Sequence, residues 1–221
     1  MATMPGFNLN KPWDLPEYYQ MKQIAIYGGT FAPPHNGHIE FARGYIRLEN
    51  PDKLIIIPTF IPPHKQIDGA DSPAVRLEMV RLGFAGFDSR VEVDDFEITR
   101  AAPSYTVLTL EHFTAPDTAL RFLCGSDMFL TLEEWYRAPD IFKLCRIAFA
   151  RRICGGEEYD AKIAERRAYF ERVYGANITE LDLPVVDISS TELRSAVCAG
   201  QSIAEYVPAA VNKYIAENRL Y

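Results

Sequence analysis

A chain of 221 residues, 48% hydrophobic and 24% charged, has ordinary globular composition and is long enough to fill one core. Its formal charge of −7 argues against a general nucleic-acid binder, which needs a basic surface to neutralise phosphates; a small anionic ligand in a local basic pocket fits better. No apolar run reaches the length of a membrane span and the N-terminus lacks the charged start and apolar core of a secretory signal, so no membrane partner is expected and the cytoplasm is the expected compartment. Cys124, Cys145, Cys154 and Cys198 form no CxxC pair or zinc-like spacing and read as reduced, structural thiols.

Residues 1–21 hold three prolines, Trp13 and the adjacent Tyr18 and Tyr19 without periodicity, and read as an N-terminal extension ahead of one domain over 22–221. The domain opens on the apolar run Ile24-Ala25-Ile26-Tyr27, then Gly28-Gly29, a proline-rich turn and an amphipathic run from His35 onward. That order predicts strand, loop and helix. Glycines directly after a strand let backbone N–H groups approach an anion, and the helix start adds donors and the positive end of its dipole. The pattern is neither the GxGxxG fingerprint nor a Walker loop, because Thr30-Phe31 follow the glycines and no Gly-Lys-Ser/Thr occurs. His35 and His38, three residues apart, lie on neighbouring faces of one turn and suit phosphoryl chemistry; as an isolated pair they would read as caps or solvated residues.

The helix is expected to end near Asn50-Pro51, and Leu54-Ile55-Ile56-Ile57 reads as a central parallel strand buried on both faces. Pro62-Pro63-His64-Lys65 then falls where α/β sheets present ligand loops, with Lys65 a cation stiffened by prolines. Residues 73–87 predict a helix on the sheet through Val75, Met79, Val80 and 82–84, with Arg76 and Arg81 as its solvated face. Val91-Glu92-Val93 alternates as a short strand. Ser104, Tyr105 and Thr106 precede Val107–Leu110 as a hydroxyl-rich helix start, for which capping alone is a sufficient explanation. Leu120–Cys124 predicts another strand, with Gly125-Ser126-Asp127 at its end; Asp127 could meet ribose hydroxyls or a metal-bound water, but a helix cap is the simpler reading. Trp135 and Tyr136 follow, then a strand over 147–150 and a charged surface helix over 157–174. In Ile188-Ser189-Ser190-Thr191-Glu192-Leu193-Arg194, Ser189 and Glu192 stand in capping-box spacing, marking a helix start and a second anion site, with Arg194 as a phosphate clamp. Val207-Pro208 opens the last helix.

GGTFxPxHxGH, read over Gly28 to His38, together with ISSTxxR resembles the signature of the HxGH nucleotidyltransferases, over residues 24–221. Within them the PPHK loop, SYT followed by Thr109-Leu110, GSD, Trp135 and the terminal Leu220-Tyr221 are similar to the bacterial nicotinate-nucleotide adenylyltransferases. The resemblance implies an α/β Rossmann-like nucleotidyltransferase fold with a central parallel sheet and a small C-terminal helical subdomain within 188–221. It implies transfer of the adenylyl group of ATP to nicotinate mononucleotide, giving deamido-NAD and pyrophosphate, with Mg²⁺ bound through the ATP phosphates rather than by protein ligands. By the same resemblance His35, His38, Lys65 and Arg194 serve catalysis. Gly28, Gly29, Thr30, Gly125, Asp127, Ser189, Ser190 and Thr191 bind ATP, and Ser104, Tyr105, Thr106, Trp135 and Tyr136 bind the pyridine nucleotide. The usual acidic or amide residue after GTF is Ala32 here. Nicotinamide-mononucleotide or phosphopantetheine adenylyltransfer, and a nucleotide-binding regulatory paralogue without catalysis, stay open, as does a homo-oligomer.

Overall fold

The computed structural model describes residues 18, 20–63, 72–151, 156–183 and 188–221. Lys65, Trp13 and Cys154 lie outside the described residues. Six strands form one parallel sheet: β1 (Lys22–Gly29), β2 (Lys53–Pro58), β3 (Val91–Val93), β4 (Thr118–Gly125), β5 (Cys145–Ala150) and β6 (Ile178–Leu181), in the order β3-β2-β1-β4-β5-β6. All five pairings are parallel, with Gly28 beside Ile57 and Tyr27 beside Leu123 in register. Between and after the strands run α1 (Asn36–Glu49), α2 (Pro73–Gly83), α3 (Phe96–Arg100), α4 (Thr106–Phe113), α5 (Ser126–Thr131), α6 (Ala138–Leu144), α7 (Gly156–Tyr174), α8 (Ser190–Cys198) and α9 (Ala209–Asn218).

The apolar strands are buried because helices cover both faces, the situation in which parallel sheets occur. On one face Ile24, Ile26, Leu120, Phe122, Ile147 and Phe149 pack against Val107, Leu110, Phe129, Phe142 and Phe170 of α4 to α7. On the other, Ala25, Tyr27, Leu54 and Ile56 pack against Ile39, Ala42 and Tyr45 of α1 and Val80 of α2. A third cluster joins Met79 of α2 to Leu193, Val211 and Ile215, so the C-terminal helices dock on α2. At the crossing of α1 with the chain after β6 there is no room for a side chain: a Cβ on Gly44 would lie 2.3 Å from Leu183 Cδ2.

Several expectations need correction. Helix α2 stops at Gly83, four residues before the expected end, and the chain folds back with the Phe87 N–H bonded to the Phe84 carbonyl. Helix α7 is not simply a surface element, since Ile163 and Phe170 are fully buried. Arg76 is not solvated: it is 2% exposed and lies in the interior. Cys124 and Cys145 are buried free thiols, and burial pushes both well above the usual thiol range, which fits an inert structural role.

Candidate active site

The strand order reverses direction between β1 and β4, and the crevice outside their carboxyl ends is where open α/β sheets bind ligands. A cavity of about 500 Å³ lies there. Its lining includes Gly28, Gly29, Thr30, His35, His38, Ser104, Tyr105, Thr106, Gly125, Asp127, Trp135, Tyr136, Ser189, Ser190, Thr191 and Arg194, so every described candidate residue comes to one place. Pro62 and Pro63, which precede Lys65 in sequence, line it too.

The loop after β1 is shaped by close packing. Phe31 is 1% exposed and holds φ 50°, a left-handed conformation uncommon for a bulky residue, and its ring turns back over Gly29. A Cβ on Gly29 would lie 2.8 Å from that ring, so the position requires glycine. The loop then reaches α1, whose first turn contains no acidic residue to neutralise its positive end.

His35 is the N-cap of α1, and the two imidazoles are stacked with centroids 3.6 Å apart. The His35 backbone N–H donates to His38 Nδ1 at 3.1 Å. A capping role and a site role therefore coexist in His38. With Nδ1 accepting, a neutral His38 carries its proton on Nε2 and presents an N–H donor. Burial, and then the nearby His35, hold the His38 pKa well below the usual histidine range, so the neutral form is the working form at neutral pH.

Helix α8 closes the site from the C-terminal side, and its capping box is formed as the spacing predicts. The Ser189 hydroxyl accepts the Thr191 N–H at 3.2 Å, and Glu192 accepts the Ser189 N–H at 3.2 Å. Those bonds occupy part of the N–H set expected to make a second anion site, which shifts the burden there to side chains. Ser190 donates its hydroxyl to the Pro33 carbonyl at 2.9 Å, and Arg194 Nη1 donates to the Ala32 carbonyl at 2.8 Å. The Ala32 side chain is buried, so this position serves the site through its backbone.

A second part of the lining is aromatic and hydroxyl-rich. Tyr105 and Tyr136 rings lie 4.5 Å apart, and Trp135 packs edge-on to Phe122. Ser104 does not cap α4: its hydroxyl accepts the Phe60 N–H at 2.9 Å and its own N–H donates to the Ile61 carbonyl at 2.9 Å, pinning the segment to the loop after β2. Asp127 lies in the first turn of α5, where no side chain caps the helix, and accepts the Tyr159 hydroxyl at 2.9 Å.

Among the residues of this neighbourhood not anticipated as site residues are Arg76, Glu97, Thr109 and Tyr159. Arg76 donates from Nη1 to the Thr30 carbonyl and from Nη2 to the Phe60 carbonyl, each at 2.9 Å, tying the loops after β1 and β2 together. Glu97 and Thr109 line the cavity, and Tyr159 reaches it from α7 through Asp127. The signal for Arg76 was present in the helix period, since it shares a face with Met79 and Val80. Nothing local marks the other three.

The family model described as Cytidylyltransferase-like matches residues 26–196. A protein of Clostridium kluyveri named "Probable nicotinate-nucleotide adenylyltransferase" is 35% identical over 203 residues, covering 91% of this chain and 100% of its own length. A protein of the same name from Synechococcus sp. is 38% identical over 204 residues, covering 91% and 96%. Among solved structures, the Plasmodium falciparum nicotinic acid mononucleotide adenylyltransferase complexed with NaAD superposes with a TM-score of 0.70 at 20% identity, over 90% of this chain and 97% of that one, which shows the shared fold. The chain belongs to the cytidylyltransferase-like family, among its nicotinate-nucleotide adenylyltransferases.

Proposed function

We infer that this chain transfers the adenylyl group of ATP to nicotinate mononucleotide, forming deamido-NAD and releasing pyrophosphate. The observation that carries this reading is the make-up of the cavity lining, which combines groups suited to phosphates, His38, Arg194 and the start of α1, with the aromatic and hydroxyl groups of Ser104–Thr106, Trp135 and Tyr136. In the reaction the acceptor's 5′-phosphate oxygen attacks the α-phosphorus in line while the bond to the pyrophosphate oxygen breaks, so no enzyme nucleophile is required. The chain's work is positioning and charge stabilisation. His38 donates from Nε2 to a phosphate oxygen, Arg194 supplies a planar cation anchored on Ala32, and Asp127 takes ribose hydroxyls.

Lys65 follows Pro62 and Pro63 in sequence and is proposed as a further phosphate cation. Mg²⁺ is proposed to enter bound to the ATP phosphates, where it would supply charge neutralisation. No helix among the described residues is long and apolar enough to cross a membrane, and a cytoplasmic site of action fits the use of ATP. Residues 22–221 are proposed to act as one domain with 1–21 as an extension.

The regulatory reading rested on Ala32. Its backbone role, with Arg194 and Ser190 bonded to the carbonyls of Ala32 and Pro33, favours a site competent for catalysis. Purified protein with ATP, Mg²⁺ and nicotinate mononucleotide should release pyrophosphate, faster than with the nicotinamide form or phosphopantetheine. Binding of ATP with no product from any acceptor would establish the regulatory reading instead.

A further inference from the structure

The cavity wall holds a carboxyl for which adenylyl transfer has no evident need. Glu97, in α3, is 4% exposed and lines the cavity with Ser104, Tyr105 and Thr109. Its Oε1 accepts the Thr109 hydroxyl at 2.5 Å, and its Oε2 meets no hydrogen-bond partner among the described residues. A buried carboxylate with one oxygen bare is strongly disfavoured, whereas a carboxylic acid with its proton on that oxygen is a hydrogen-bond donor at the wall. The charged groups that face it are Arg100 of its own helix and Arg76 of α2; the hydroxyls of Ser104 and Thr109 face it from the following segment. Burial outweighs all four and holds the carboxyl above the usual carboxylate range.

The surroundings tie this group to the acceptor end. Ser104 is fixed to Phe60 and Ile61, Phe60 is in turn held by Arg76, and Thr109 follows Thr106 by less than one turn of α4. Glu97 thus stands behind the segment whose N–H and hydroxyl groups would meet the substituent on the acceptor's ring. A negative charge at this depth would oppose a carboxylate there, because like charges brought together in a poorly solvated site repel strongly.

Resting on the acceptor reading above, we propose that Glu97 determines acceptor selectivity: it stands as an uncharged hydrogen-bonding group behind the Ser104–Thr106 segment, so that an anionic ring substituent meets donors and no opposing carboxylate. It takes no part in bond making. It is a specificity-determining residue that acts through Ser104, Thr109 and the charge of the wall.

The test is the ratio of kcat/KM for nicotinate mononucleotide to that for nicotinamide mononucleotide at one fixed pH. Glu97→Gln, close in shape to the acid and never charged, should keep the ratio within about two-fold of the wild type, and Glu97→Ala should lower it about ten-fold, through KM for the nicotinate form with kcat little changed. A Gln variant with a ratio far above the wild type, the result of a charged Glu97, or a Gln variant no more selective than Ala, each overturns the proposal. If Glu97→Ala fails to fold, the comparison of wild type with Glu97→Gln decides it. A wild type that uses neither pyridine nucleotide overturns the acceptor reading itself and the proposal with it.

Discussion

Arg194 Nη1 donates to the carbonyl oxygen of Ala32 at 2.8 Å, joining residues 162 positions apart so that α8 and the loop after β1 form one edge of the cavity. The guanidinium has five N–H groups in a fixed fork, enough to hold a backbone carbonyl and a phosphate together; a lysine point charge cannot do both. Arg194→Lys should therefore be impaired and Arg194→Ala more so. The Ala variant should lose about ten- to hundred-fold in kcat/KM for ATP, corresponding to roughly 1.5–3 kcal/mol for a charge-assisted contact. A surface arginine would change stability or activity by no more than about 0.5 kcal/mol. Kinetics with ATP varied at saturating acceptor distinguish the two.

His38 combines a capping acceptor with a site donor, so His38→Ala should act on both. Turnover should fall about a hundred- to thousand-fold, while loss of the acceptor for the His35 N–H should remove only about 1 kcal/mol of stability. Equal activity with lowered stability would mean a cap alone. The pH dependence of stability follows from the lowered pKa. Below the ordinary value of about 6.5 the unfolded chain binds a proton at this residue and the folded protein does not, so stability declines as pH falls through that value. Thermal melts from neutral to mildly acid pH should show a shallower decline in the Ala variant than in the wild type.

Arg76 gives a third prediction. Its side chain is buried and satisfies the carbonyls of Thr30 and Phe60. Arg76→Met fills much of the space but leaves both acceptors unpaired, at about 1–3 kcal/mol each. A clear drop in melting temperature is expected, together with a raised KM for both substrates, because both of the loops it joins line the cavity proposed to hold them. A variant with wild-type melting would contradict the buried geometry.

The misreading of Arg76 shows where the sequence stops being legible. The β1-loop-α1 unit, the apolar strands β2, β4 and β5, and the capping box of α8 each follow from a local pattern, and each forms as those patterns predict. Arg76 was read from its charge, which on a helix usually means solvent, although its position relative to Met79 and Val80 places it inward. Ser104 was read as a cap because the hydroxyl precedes a helix; its actual partner is Phe60, 44 residues away in sequence. Glu97 sits in a five-residue helix too short to show a period, and Tyr159 on a charged helix whose inner stripe is sparse. For Ser104, Glu97 and Tyr159 the deciding contact is polar and with a residue distant in sequence, and such contacts leave no periodic trace.

Tyr159 offers the last prediction. Its hydroxyl lies 2.9 Å from Asp127 Oδ1 and 2.9 Å from Ser126 Oγ. A single O–H favours the carboxylate, where the bond is charge-assisted, and Ser126 can then donate to the tyrosine oxygen. Asp127 is thereby fixed at the wall of the cavity it lines, the place proposed above for the ribose hydroxyls. Tyr159→Phe removes the tether without altering the ring or the charge of Asp127. The ATP KM should rise several-fold with kcat within about two-fold, the pattern of lost binding common to ground and transition states. The more telling readout is discrimination between ATP and its 2′- or 3′-deoxy analogues. If Asp127 receives ribose hydroxyls, the wild type should prefer ATP over at least one analogue, and the Phe variant should lose part of that preference because the carboxylate is no longer held in place. A Phe variant with unchanged ATP KM and unchanged discrimination would mean that Tyr159 merely packs α7 against α5.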